Sequence, residues 1–372
     1  MKNFKEYSLL FFLLLAIVSI VFYEFIFGDL VFIAGDALSG QSVKHIMQKE
    51  YSNWFPYIFS GMPTVHSFLS IQHLYLPHHL MMLLSDLGVS WIWNFLFHYM
   101  FAGIGMYALL KYLKQPKIVS FFGGFLFMIL PSMIAYMAHG HGSQIMTACY
   151  IPWIILLLFK NYKNPSLKNV GIFSLLIGFQ LLRGHVQIAY YTWMMIGLFI
   201  LIKLIEYVYL IIKDKEPYLI LVKTKLYIFV SLFIGICISL SLYLPVKSFA
   251  ELSTRANVSD GGGYSAEIAT DGYSLKLQES LTFIFPYING FGGYSYSLND
   301  NHGMNGTDFP NYLGLLIILL AFIGLWKSDI NKIYKIFFSL SGIFSFLISL
   351  GKYFLPFYSI FFNYFPFFDT FR

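Results

Sequence analysis

Apolar residues in this 372-residue chain gather into long runs separated by short polar turns. A run of about 20 apolar residues is the length of a helix that crosses a bilayer, where backbone N–H and C=O groups must bond within the segment. The pattern predicts such helices at 9–27, 91–110, 118–137, 145–159, 170–182, 185–212, 226–246, 311–326 and 336–350. Residues 75–87 read as a short helix lying at the interface. The first run follows Lys2 and Lys5 without a small-residue cleavage site, so it reads as a retained anchor. The expected fold is an all-α integral membrane bundle of about nine or more spans, one polytopic domain over 1–372 with long external loops at 28–90 and 247–310.

Composition agrees. The chain is 58% hydrophobic and 20% aromatic with only 11% charged residues, too few to clothe a water-exposed surface. Cys149 and Cys237 lie inside apolar runs and read as small core residues. The net charge of +6 raises nucleic-acid binding, but its distribution argues against it. Lys111, Lys114 and Lys117, then Lys160, Lys163 and Lys168, then Lys213, Lys215, Lys223 and Lys225, then Lys327, Lys332 and Lys335 occupy alternate turns, on the side of Lys2 and Lys5. Such bias marks the cytoplasmic face, with the N-terminus inside a cell (plasma or inner) membrane. Nine of the ten histidines and most acids fall on the other side. Any chemistry is expected to face outward.

Asp36, in "FIAGDALSGQ", stands in a Gly-rich turn just beyond the first span. It reads either as a solvated loop residue or as a carboxylate at headgroup depth that accepts a hydroxyl proton or binds a divalent cation. "NWFPYIFSGMPTVHS" supplies Trp54 and His66, in an interfacial aromatic belt or a sugar-stacking surface, with a bend at "SGMP". "AHGHGSQ" places His139 and His141 in a short external turn, as a metal pair or as hydrogen-bonding groups. "LLRGHVQIAYY" carries Arg183, His185 and Gln187. Basic residues are scarce on that side, and a guanidinium there either snorkels to headgroups or binds a phosphate with paired hydrogen bonds. Arg255 and Glu279 lie in the second long loop, Glu279 as a further candidate carboxylate. That loop is too long for a simple connector. No nucleotide-binding signature occurs, so a transferase of this kind needs an activated donor that already lives in the membrane.

In order and spacing, "AGDALSGQ", "WFPYIFSGMPT", "RGHVQIAYY", "YSLKLQESLTFIFPYINGFGG" and the closing "FPFFDTFR" resemble the YfhO-type family of bacterial multi-spanning proteins, lipid-donor glycosyltransferases of the GT-C type. The resemblance implies a GT-C-like bundle, a polyprenyl-phosphate sugar as donor and an active site on the outer face. It also implies that an acid in the first external loop is base or metal ligand, the position of Asp36, with Mg or Mn as the cation. GT-C relatives often carry paired acids there, whereas Ala37 follows Asp36. Family members are usually longer, so a further C-terminal part is expected after residue 372.

The expected activity is an inverting transfer of a sugar to a glycan, lipid or protein acceptor. Asp36 and Glu279 would be the catalytic carboxylates, Asp36 as base, with Arg183, Arg255 and His185 on the donor phosphate. His66, Trp54, His139, His141 and Gln187 would bind substrate, and Asp36 any metal. The rival expectation is a transporter or flippase for a lipid-linked or polar solute. Against it, the predicted spans show neither midplane charges nor paired broken helices.

Overall fold

A computed structural model describes residues 2–31, 53–57, 60–64, 74–213, 218–250, 265–270, 274–286, 288 and 311–370. Asp36, His66 and Arg255 lie outside the described residues. The described chain is nearly all helix. Its one sheet is a two-stranded antiparallel pair, Trp54–Phe55 with Met62–Pro63. Ser60 and Gly61 turn between these strands at positive φ, 61° and 105°, the bend expected at "SGMP".

Each of the nine apolar runs is helical, but not all are built as spans. Six stretches are long and apolar enough to cross a bilayer: Phe4–Val21, Lys117–Ala138, Gly142–Lys163, Val186–Ile212, Lys225–Ala250 and Lys332–Ser349. Leu167–Leu182 and Leu315–Lys327 are apolar but shorter, with 16 and 13 residues. Trp93–Tyr112 has the length but is more polar, carrying Asn94 and His98. The reason lies in its surroundings. It packs against Lys2–Val21, Lys117–Met128, Gly142–Ala148 and Ile151–Lys163, and its buried residues fall on all sides, so protein rather than lipid encloses it.

The chain divides into two compact units, one of residues 1–196 and 205–248 and the other of 197–204 and 249–372. In the first unit we number the helices α1 (Lys2–Val21), α2 (Leu76–Asp86), α3 (Trp93–Tyr112), α4 (Lys117–Met128), α5 (Pro131–Ala138), α6 (Gly142–Ala148), α7 (Ile151–Lys163), α8 (Leu167–Leu182), α9 (Val186–Ile212) and α10 (Tyr218–Ala250). The third and fourth predicted spans are therefore each broken, α4 from α5 at Ile129–Leu130 and α6 from α7 at Cys149–Tyr150. Pro131 and Pro152 each occupy the first turn after a break, where a missing N–H is tolerated. This corrects the expectation that broken helices are absent.

Glycines set the helix contacts. A Cβ on Gly124 would lie 2.5 Å from the Gly103 carbonyl oxygen, so α3 and α4 meet backbone to backbone. The Trp153 indole N–H of α7 donates to the Phe101 carbonyl at 2.8 Å and its ring stacks on Phe101. Cys149 is buried as expected. Cys237 is exposed on α10, since a residue on the outer face of an apolar helix meets lipid rather than core.

Two of the basic turns meet the start of α1 at one end of this unit. Lys117 pairs with Glu6 at 2.5 Å, Tyr107 donates to the same carboxylate at 2.6 Å, and Tyr112 donates to the Phe159 carbonyl at 3.2 Å. The start of α1, the α3–α4 turn and the end of α7 are thereby tied together.

The second unit contains helices Leu315–Lys327, Lys332–Ser349 and Leu355–Tyr364, with shorter turns at Ala266–Thr270 and Leu277–Phe283. Ser274 joins them: its hydroxyl donates to Thr270 and accepts the Lys352 N–H at 2.9 Å. Phe361 packs on Phe344, Phe365 and Phe368, and Phe368 is fully buried.

Candidate functional site

The end of the first unit opposite the basic turns gathers buried polar side chains from separate elements. Helix α8 ends at Leu182, and Gly184 takes φ 75° just after its C-cap, Arg183. That left-handed residue turns the chain into α9 and is cheap only for glycine. Arg183 caps the C-terminus, where the helix dipole favours a cation. It is only 6% exposed. Burial lowers its pKa from the ordinary arginine value, yet a guanidinium stays charged at any ordinary pH.

The Arg183 guanidinium lies over the ring of Tyr75, 4.6 Å from the centroid. Tyr75 immediately precedes α2 and is 1% exposed. Its hydroxyl is held twice, at 2.8 Å from His98 Nε2 and 2.5 Å from the Tyr150 hydroxyl. His98 Nδ1 faces the Asn94 carbonyl at 2.5 Å. A carbonyl only accepts, so Nδ1 carries the proton and Nε2 is the acceptor of the neutral imidazole. The chain of donors then runs from Tyr150 to Tyr75 to His98. Burial pushes the Tyr75 phenol up to about 12, against the pull of Arg183 and of the Tyr150 bond. Tyr150 lies at the α6–α7 break, so the interrupted helix places it here.

A second polar group adjoins through α9. His185 is the N-cap of α9, its Nδ1 accepting the Ile188 N–H at 3.3 Å. Burial first, and the nearby His141 imidazole second, lower its pKa to about 4, so it is neutral. His141 lies 6.3 Å from both His139 and Tyr136, ring centre to ring centre. His139 Nδ1 is directed at the Ala135 carbonyl, 2.8 Å away. Gln187 donates to the Tyr191 hydroxyl at 2.8 Å. Below them Gln180 donates to the Thr147 carbonyl and to Thr192 Oγ1.

The structure thus brings Arg183, His185, His139, His141 and Gln187 to one end of one unit. Trp54 is half exposed on the small sheet, its indole over Gly61. Glu279 belongs to the second unit. It is buried, and its Oε2 accepts the Lys276 N–H at 2.9 Å, which gives it a capping task in its own 3₁₀ turn. Among the described residues, no three His, Cys, Asp or Glu side chains gather as metal ligands. Asp36, the candidate metal ligand, is not among them.

Sequence reasoning passed over Tyr75, Tyr150 and the role of His98. The available signal was His98 itself, a histidine well inside a predicted span. What the cluster can do follows from its charge. Among the described residues no carboxylate pairs with Arg183, and its Nε–H is buried without a hydrogen-bond partner. A buried cation whose donor has no partner is costly unless an anion joins it. No family model, curated protein or solved structure matches the chain.

Proposed function

We propose that the chain is a GT-C-type membrane glycosyltransferase with its site on the outer face of a cell membrane, as its resemblance to YfhO-type proteins implies. The observation that carries this reading is the buried Arg183 guanidinium, which no described carboxylate pairs and whose Nε–H has no hydrogen-bond partner. It is matched to the phosphate of a polyprenyl-phosphate sugar that enters sideways from lipid. Burying a charge is costly unless it is paired, which favours a bound anion.

In the proposed reaction the acceptor hydroxyl attacks the anomeric carbon as Asp36 takes its proton. The bond from that carbon to the phosphate oxygen breaks, and polyprenyl phosphate leaves with the electron pair. Arg183 stabilises the leaving phosphate. Neutral His185, with His66, His139, His141, Gln187 and Trp54, orients sugar and acceptor. No step here runs through a cation.

A second reading draws on the two helices broken at Ile129–Leu130 and Cys149–Tyr150. Interrupted helices are a device of transporters, so a flippase of a lipid-linked solute is the alternative. Purified protein in proteoliposomes, given a radiolabelled polyprenyl-phosphate sugar and candidate acceptors, tests both. Sugar transfer that is lost in Asp36→Asn supports the enzyme. Movement of the lipid-linked sugar across the bilayer without transfer replaces it with the transporter.

A further inference from the structure

We infer that Tyr75 is the positioning residue of the Arg183 site, and that it carries the guanidinium by its ring so that the N–H donors remain open for an oxyanion. The inference rests on the phosphate-holding reading of Arg183.

A buried guanidinium can be compensated in two ways. A carboxylate takes the in-plane N–H groups in a paired fork, and those donors are then spent. An aromatic ring attracts the cation through its face, perpendicular to the plane in which the donors point. Arg183 is compensated by a ring, its Cζ 4.6 Å from the Tyr75 centroid, with Nε–H unpartnered in a side chain more than nine-tenths buried. The charge is steadied while its hydrogen bonds stay available.

The ring is fixed from three directions. Phe179 meets it edge-on, with centroids 5.9 Å apart. Phe179 and Arg183 are four residues apart around the end of α8, so both face the same way and bracket Tyr75. The hydroxyl is anchored on α3 through His98 and at the α6–α7 break through Tyr150. Donation from Tyr75 to His98 Nε2 also enriches the ring in electron density, which strengthens its hold on the cation.

The test is binding to the full chain in detergent micelles, measured by intrinsic fluorescence, with undecaprenyl phosphate and uncharged undecaprenol as probes. The ratio of the two affinities reports phosphate recognition apart from the lipid tail and from general loosening of the fold. Wild type is expected to prefer the phosphate, and Arg183→Gln to lose that preference. Tyr75→Leu should weaken phosphate binding about 10-fold with undecaprenol binding unchanged. Tyr75→Phe, which keeps the ring but frees it, should lose about 3-fold, the scale of one net hydrogen bond.

Arg183→Gln that keeps the wild-type preference removes the phosphate reading itself. A preference lost in Arg183→Gln but intact in Tyr75→Leu leaves the phosphate site standing and overturns the role of Tyr75. Equal weakening towards both lipids in Tyr75→Leu also overturns it, since that is disruption rather than positioning. If Tyr75→Leu does not fold, Tyr75→Phe decides, and an unchanged preference there is the contrary result.

Discussion

Arg183 at the end of α8 and Tyr75 ahead of α2 are 108 positions apart in sequence and stack at 4.6 Å in the structure. Around that contact His98 and Tyr150 close a buried network through the Tyr75 hydroxyl. The pairing places an arginine where an arginine is hard to keep, and the proposed phosphate would supply the missing counter-charge.

Charge alone is not enough for that task. Lysine has no flat face to stack on a ring and no fork of donors. In a transfer assay with the polyprenyl-phosphate sugar, Arg183→Lys is expected to lose at least ~10-fold in kcat/KM and Arg183→Gln about 100-fold, the scale for removing one oxyanion-stabilising group. Full activity in Arg183→Lys would show that the fork and the stack are dispensable.

His185 gives a pH dependence of known sign. Its folded pKa, about 4, lies below the ordinary value of 6.5. The unfolded chain therefore binds the proton more readily, and stability falls as pH drops from about 6.5 towards 4. Thermal melts of the purified protein across that range should show a falling midpoint, and His185→Gln should flatten the slope. The same slope in His185→Gln would assign the effect to another group.

The α3–α4 contact has no room for a side chain. Gly124→Ala places a methyl against the Gly103 carbonyl and should destabilise the unit by about 1–3 kcal/mol. Gly171, with open space around its Cβ position, is the matched control for which little change is expected. Denaturant unfolding in mixed micelles compares them.

The helix pattern was legible in the sequence because hydropathy reports what faces lipid. Trp93–Tyr112 falls short in hydropathy for the opposite reason: that helix is wrapped by protein, which allows Asn94 and His98. The breaks before Pro131 and Pro152 were visible as prolines, but apolar residues on both sides masked them. Arg183 stood out as a rare external cation. Its partners did not, because Tyr75 resembles an interfacial aromatic and Tyr150 sits in an apolar run. Only folding brings them to Arg183.

The sidedness of the site is open to labelling. Cysteine introduced at Lys114, in a basic turn, should react only with reagent on the cytoplasmic side of intact cells. Cysteine at Gly140, between His139 and His141, should react only from outside. Each is made with Cys237, exposed on α10, replaced by serine. Labelling of both from one side would refute the two-faced arrangement.

Cryo-electron microscopy of the protein in nanodiscs with a bound polyprenyl-phosphate sugar tests the central claim most directly. The account predicts phosphate density within hydrogen-bonding distance of the open edge of Arg183, with the guanidinium still over Tyr75. A phosphate bound elsewhere, with a carboxylate of the chain paired to Arg183, would contradict it.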